Sequence, residues 1–251
     1  MTLQKGDFIL IDYTAKVKET NEVFDTTLEE ISKREHLHKE GESYEPKLVV
    51  LGESWMLKAL EENLTTMESG KAQTVEIAPK DAFGQRDPEK VKRVPLKQLT
   101  AKGTNPGIGM RIDYNGKMAV VRSIGAGRVL LDFNPPLAGK TLVYDVTVKK
   151  KLETNEEKIA ALIHRRVPLA EESKFNFLIK EKTLNIDMPE DTFYIEGIQI
   201  AKRGIAMDVQ RFLPELLEIK FIETFKSEPK PETKLEPKIE TKSESAPETQ
   251  T

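Results

Sequence analysis

The chain has 251 residues, which by length alone allows one large domain or two to three small ones. Its 39 Lys and Arg against 42 Asp and Glu leave a formal charge of −3, so no basic excess draws the whole chain onto nucleic acid. With no cysteine and only His36, His38 and His164, disulfides, thiol nucleophiles and thiolate zinc sites are excluded, and a histidine-based triad or metal site has little material.

Asp7, Asp12, Lys16 and Lys18 interrupt the N-terminal stretch, so it lacks the unbroken apolar core of a signal peptide. No run approaches the ~18–20 apolar residues that span a bilayer, and the chain is expected to be soluble and cytoplasmic. From Phe8 to Val17, Ile9, Ile11, Tyr13, Ala15 and Val17 alternate on one face of a strand. Asn21-Glu22 turns the chain into a second short strand, Val23 to Thr27. Residues 28–47 form a polar excursion with some helix; its His36-x-His38 pair lacks a third ligand and reads as a solvated face. Leu48 to Gly52 is a buried strand, and Ser54 is predicted to cap a short helix with Leu57, Leu60 and Leu64 in one stripe. Gly70 precedes a strand from Ala72 to Ile77.

Residues 88–138 change character. Pro88, Pro95, Gly103, Pro106, Gly107 and Gly109 punctuate their entry, and three short strands follow at Met110–Tyr114, Lys117–Ile124 and Arg128–Phe133. Asn115-Gly116 is a two-residue hairpin signal, so this is a small sheet-based module. Thr141 to Val148 resumes a long strand with Leu142, Tyr144, Val146 and Val148 on alternate sites. A further unit occupies residues 154–225. Thr154 and Glu157 form a capping box, Ile159, Leu162 and Ile163 a buried stripe, and Pro168 a stop. Phe175, Phe177 and Ile179 are predicted as a strand, Ile198 and Ile200 as another, Ile205–Leu213 as a second helix, and Leu217, Ile219 and Phe221 as a last strand. Residues 226–251, with Lys226, Lys230, Lys234, Lys238 and Lys242 among glutamates and prolines, read as a disordered charged tail.

Val23-Phe24-Asp25, Leu51-Gly52, Asp81-Ala82-Phe83-Gly84 and the run from Pro135 through Gly139 to Tyr144-Asp145-Val146 resemble the FKBP family of peptidyl-prolyl cis-trans isomerases. The likeness covers roughly residues 3–87 and 137–153, in order. The module between resembles the insert-in-flap domain of SlyD-like members, and the unit after Leu152 the long archaeal type with a C-terminal extension. The fold class implied is α+β: an antiparallel sheet wrapped on a short helix, an inserted small β-domain and a C-terminal α+β domain. The implied division is 1–87 with 139–153, then 88–138, 154–225 and the tail.

The residues agree with that likeness in their own chemistry. The candidates are aromatic and aliphatic, with no nucleophile, base and metal set, which suits a reaction that breaks no sigma bond. Rotation about X-Pro takes tens to hundreds of seconds unaided, against a barrier of ~18–20 kcal/mol. An apolar cleft penalises the charge-separated planar amide more than the twisted transition state. Removing ~4–6 kcal/mol would accelerate rotation roughly 10³–10⁴-fold.

The resemblance places the catalytic pocket at Tyr13, Phe24, Asp25, Met56, Leu57, Leu60, Phe83 and Tyr144. Tyr13 would hydrogen-bond Asp25, Phe24 form a wall, the Leu57 N–H hold a peptide carbonyl and Leu60 form the floor. Phe83 stands where relatives often carry tyrosine, and Tyr144 where they carry phenylalanine. Trp55 is expected at the pocket rim or surface. Ile112, Met118, Val120, Leu131 and Phe133 are the candidates for holding unfolded chains on the insert, although they would equally fill its own core. The implied function is prolyl isomerisation during folding with holdase-type chaperone activity; the alternative is a non-catalytic polypeptide-binding module that keeps the fold. No cofactor or metal is implied. The expected partners are unfolded or partly folded polypeptides with X-Pro bonds, without nucleic acid or membrane, and the C-terminal domain is left open between client binding and a homodimer.

Overall fold

The computed structural model describes residues 3–101, 103–170 and 172–226. β1 (Phe8–Val17) buries Ile9, Ile11, Tyr13, Ala15 and Val17 on its inner face, as their alternation demands. β2 (Val23–Thr26) and β3 (Lys47–Val50) pair antiparallel with its two halves, and α1 (Glu29–Arg34) is the helical part of the excursion between them. α2 (Lys58–Leu64) lays Leu60 and Leu64 against the inner face. Ser54 does not cap this helix. Its φ is 58°, Leu57 is the N-cap, and the buried Glu61 carboxylate reaches back from inside α2 to accept the N–H groups of Gly52, Ser54 and Met56. The loop is therefore held from within the helix that follows it.

After β4 (Ala72–Ile77) the chain enters a second sheet: β5 (Val91–Pro95), β6 (Arg111–Tyr114), β7 (Lys117–Gly125) and β8 (Arg128–Asp132), antiparallel in the order β5-β8-β7-β6, with α3 (Leu96–Thr100) after β5. Sequence reading misses β5 and α3. β5 is an edge strand, where Pro95 is tolerated. Asn115-Gly116 turns with φ 55° and 76°, the left-handed pair that suits a twisted hairpin. The way in and the way out are tied together at Asp132. This carboxylate is 1% exposed and accepts from Arg86 (2.9 Å), Arg122 (3.0 Å) and the backbone and side-chain nitrogens of Asn134 (3.0 and 2.8 Å). Asn134 in turn bonds the backbone of Asp87 through both of its amide atoms, at 2.9 Å each.

β9 (Leu142–Leu152) returns between β1 and β4 and completes the first sheet, all of it antiparallel. α4 (Asn155–Arg166) opens with its capping box formed, Thr154 Oγ1 accepting the Glu157 N–H and Glu157 accepting the Thr154 N–H. The third sheet orders β10 (Asn176–Lys180), β11 (Thr183–Met188) and β12 (Glu218–Glu223), with β11 and β12 parallel and joined by the crossover helix α5 (Ile198–Phe212). Ile198 and Ile200, expected in a strand, lie in the first turn of α5. Ile198, Ile205 and Val209 share its buried side while Ile200 faces solvent, so helical spacing over a longer stretch overrides the short i, i+2 pattern.

The outer face of the first sheet is not exposed. Phe8, Leu48, Val50 and Leu152 join Ile159, Leu162, Ile163, Ile205 and Val209 in one core. Trp55, expected at the pocket rim or surface, belongs to this junction: it is half-buried, its ring meets Phe212 edge-on at 5.8 Å, and the Arg165 guanidinium lies 3.9 Å from its centroid. The α+β class, the sheet wrapped on a short helix, the inserted sheet and the C-terminal α+β unit are all as expected. Among the described residues no helix is long and apolar enough to cross a membrane. The tail reading falls, beyond Lys226, outside the described residues.

Candidate active site

Three neighbouring strands bring the aromatic candidates together. Tyr13 points inward from β1, and Ala15, two residues on, pairs with Tyr144 of β9 and Asp25 of β2. The Tyr13 and Tyr144 rings lie 5.9 Å apart and tilted; Phe24 stands edge-on to Tyr144 at 6.2 Å. Such tilted and edge-on pairs match the ring quadrupoles. Tyr13 Oη donates to Asp25 Oδ2 at 2.7 Å, as expected. Thr27 fixes the strand between them, exchanging bonds with the Tyr13 N–H (2.9 Å) and C=O (3.0 Å).

α2 supplies the opposite side. Leu60 is fully buried beneath the rings, while Met56 and Leu57 pack half-buried against the same cluster. The Leu57 C=O accepts from Leu60 and Glu61, but its N–H meets no protein acceptor among the described residues. Glu61 is the residue that sequence reading missed here. A glutamate in the middle of a short helix carries no motif, and only its burial against three loop N–H groups identifies it as what positions Met56 and Leu57.

The two tyrosines are held in their protonated form. Burial raises the Tyr13 pKa far above the ordinary value, helped by the hydrogen bond to Asp25 and that carboxylate's charge. Tyr144 is pushed up to about 12, first by burial and then by the charge of Asp25. The Tyr144 hydroxyl has no hydrogen-bond partner among the described residues, which leaves it as a donor in waiting.

Phe83 is not brought into the ring cluster. It sits at a turn in which Gly84, φ 80°, closes onto Pro79, and it is 43% exposed. Its neighbour Ala82 reaches the cluster instead, together with Leu137. A cavity of about 470 Å³ touches Tyr13 and Asp25 of the eight candidates. Tyr13, Phe24 and Tyr144 form a packed aromatic surface, and among the described residues Phe83 makes no ring contact with it.

The insert candidates divide. Ile112 and Leu131 are buried with Val94, Leu99, Ala119, Val121 and Val129 in the module's own core, so they offer nothing to a client; the cause is α3, which covers that face. Val120 and Phe133 are half-buried, and Met118 is 61% exposed. Ile108, Met110 and Ile124 are also exposed on this module. His38 stacks on Tyr44 at 5.2 Å.

A family model described as FKBP-type peptidyl-prolyl cis-trans isomerase matches residues 1–149, and one described as FKBP26_C-terminal matches residues 155–226. The chain is 31% identical over 147 residues to a short-type peptidyl-prolyl cis-trans isomerase of Methanocaldococcus jannaschii, covering 59% of this chain and 92% of that one. It is 26% identical over 158 residues to the FKBP-type peptidyl-prolyl cis-trans isomerase SlyD of Helicobacter pylori, covering 62% and 78%. To the FKBP-type 16 kDa peptidyl-prolyl cis-trans isomerase of Escherichia coli K12 it is 30% identical over 108 residues, covering 41% and 72%.

Proposed function

The chain belongs to the FKBP-type peptidyl-prolyl cis-trans isomerase family, and we propose that its isomerisation of X-Pro bonds in polypeptides takes place against the Tyr13, Phe24 and Tyr144 rings. The ring cluster is the observation that carries this reading. An X-Pro amide laid on these rings leaves water for an apolar surface, which disfavours the polar planar form relative to the twisted one. The unpaired Leu57 N–H would take one substrate carbonyl. Tyr144 Oη, kept protonated and free of an acceptor, would supply the donor that Phe83 has no hydroxyl to give. Tyr13 Oη is committed to Asp25 and serves to fix the wall.

The test is a refolding reaction limited by proline isomerisation. Wild type should speed the slow phase, while Phe24→Ala and Tyr144→Ala lose most of that effect and remain folded. An unchanged slow phase with wild type would leave the chain as a polypeptide-binding module without catalysis.

The insert, residues 88–138, is assigned holdase-type chaperone activity in this reading, supported by the exposed Ile108, Met110, Met118 and Ile124. Deleting it should abolish suppression of aggregation and spare turnover of short prolyl peptides. For the C-terminal unit, the exposed Tyr194, Ile200, Met207 and Phe225 support a homodimer, which Ile200→Glu should dissociate in sedimentation experiments.

A further inference from the structure

Between the outer face of the first sheet and α4 lies the cavity of about 470 Å³ that Tyr13 and Asp25 border. Its floor is Leu10, Leu48 and Leu152; Ala161 and His164 of α4 form the far wall, and residues 42–47 close it from above. Openings of ~300–1,000 Å³ with an apolar floor and a few polar groups, set where two units meet, are where ligands bind.

Most of the charges around it are already engaged within the protein. Lys150 pairs with Glu157 at 2.6 Å, the Glu45 carboxylate takes a hydrogen bond from His164 Nε2 at 2.6 Å, and Arg165 pairs with Asp208 at 3.6 Å while lying over Trp55. What remains unspent is hydrogen-bonding capacity. His164 Nδ1 is buried without a partner among the described residues. Among the described residues the Lys47 ammonium meets only Tyr13, at 3.5 Å from its hydroxyl. β3, which contributes Lys47 and Leu48, pairs with β1 alone among the described residues, which leaves its other edge without a strand there. An apolar floor, an ammonium placed to take a backbone carbonyl, an unpartnered imidazole nitrogen placed to take a backbone N–H and a strand edge free among the described residues suit an extended peptide chain.

We infer that this cleft receives the stretch of client polypeptide flanking the X-Pro bond, making the C-terminal unit part of the substrate site. The inference rests on the assignment of isomerisation to the ring cluster, because Tyr13 and Asp25 are what join the two surfaces. An apolar side chain next to the proline would settle on the leucine floor, with its backbone along β3.

Two substitutions test this without touching the ring cluster: Ser43→Trp fills the cleft from the exposed loop, and Ala161→Phe fills it from α4. Each is assayed in the full chain on a prolyl tetrapeptide and on an unstructured fifteen-residue prolyl peptide. KM for the long peptide should rise about tenfold, the scale of one lost apolar subsite contact, while both constants for the tetrapeptide stay unchanged. Should Ala161→Phe fail to fold, Ser43→Trp decides alone. An unchanged KM for the long peptide overturns the inference; a wild type that turns over neither peptide overturns the active-site reading on which it rests.

Discussion

Replacing Asp132 with asparagine should loosen the joint between the first sheet and the insert, and the size of the effect follows from the carboxylate's surroundings. Burial alone would raise the Asp132 pKa, but the hydrogen bonds from Asn134, Arg122 and Arg86 outweigh it and hold the group at about 2. Against an ordinary value of ~3.9, that difference corresponds to about 2.5 kcal/mol of native-state stabilisation. Arg86 and Arg122 are themselves half exposed and keep their water when the partner is lost, so little is added on their side. A depressed pKa stabilises fully above the unfolded value and fades as pH falls through the folded one. Amide exchange in β7 and β8 reads the opening free energy of the insert directly. The Asn variant should open about 2.5 kcal/mol more easily at pH 7, roughly half that at pH 3, and about 0.5 kcal/mol or less at pH 2. A difference constant from pH 7 to pH 3 would show that the ionised carboxylate is not what holds the joint, and the reasoning would be refuted.

Tyr144→Phe should lower kcat/KM about tenfold, the worth of one hydrogen bond made to substrate, and leave stability within about 0.5 kcal/mol because no protein bond is broken. With Tyr144 pushed up to about 12, wild-type kcat/KM should stay level from pH 6 to 10, and a fall centred near neutrality would exclude this hydroxyl as the donor. Thr154→Ala removes the α4 cap and should destabilise the C-terminal unit by about 1 kcal/mol in urea unfolding. Ile112→Ala should cost the insert about 2–5 kcal/mol, whereas Met118→Ser should leave its unfolding midpoint unchanged and weaken client binding; equal effects on stability would contradict the burial described.

Where local chemistry and tertiary packing agree, the structure was readable from the sequence. β1 alternates without interruption, Thr154 and Glu157 leave α4 one place to begin, and Asn115-Gly116 allows one kind of turn. The pairing of Tyr13 with Asp25 came from family likeness, and the 2.7 Å contact follows from the register of β1 on β2. What escaped depends on partners distant in sequence. Ile198 and Ile200 fit two periods equally, and the choice was made by Ile205 and Val209 packing against α4. β11 alternates Leu184, Ile186 and Met188 plainly, but over only six residues, and its central place comes from pairing with β10 and β12. Ile112 and Met118 look alike as apolar strand residues; only the cover given by α3 separates core from surface. Phe83 illustrates the limit of transfer by motif, since its tetrapeptide is intact while its side chain stands outside the ring cluster.

Phe8, Leu48, Val50 and Leu152 give the isomerase sheet two greasy sides where a free-standing version would tolerate one. Trimming the chain after Leu152 would therefore bare a contiguous hydrophobic strip, and the product would clump before its chemistry could be measured. Any sibling that stops at this strand must carry polar side chains in these four places or borrow a cover from elsewhere. The C-terminal unit is in this sense a lid over the back of the enzyme, and a soluble truncate needs those positions rewritten first.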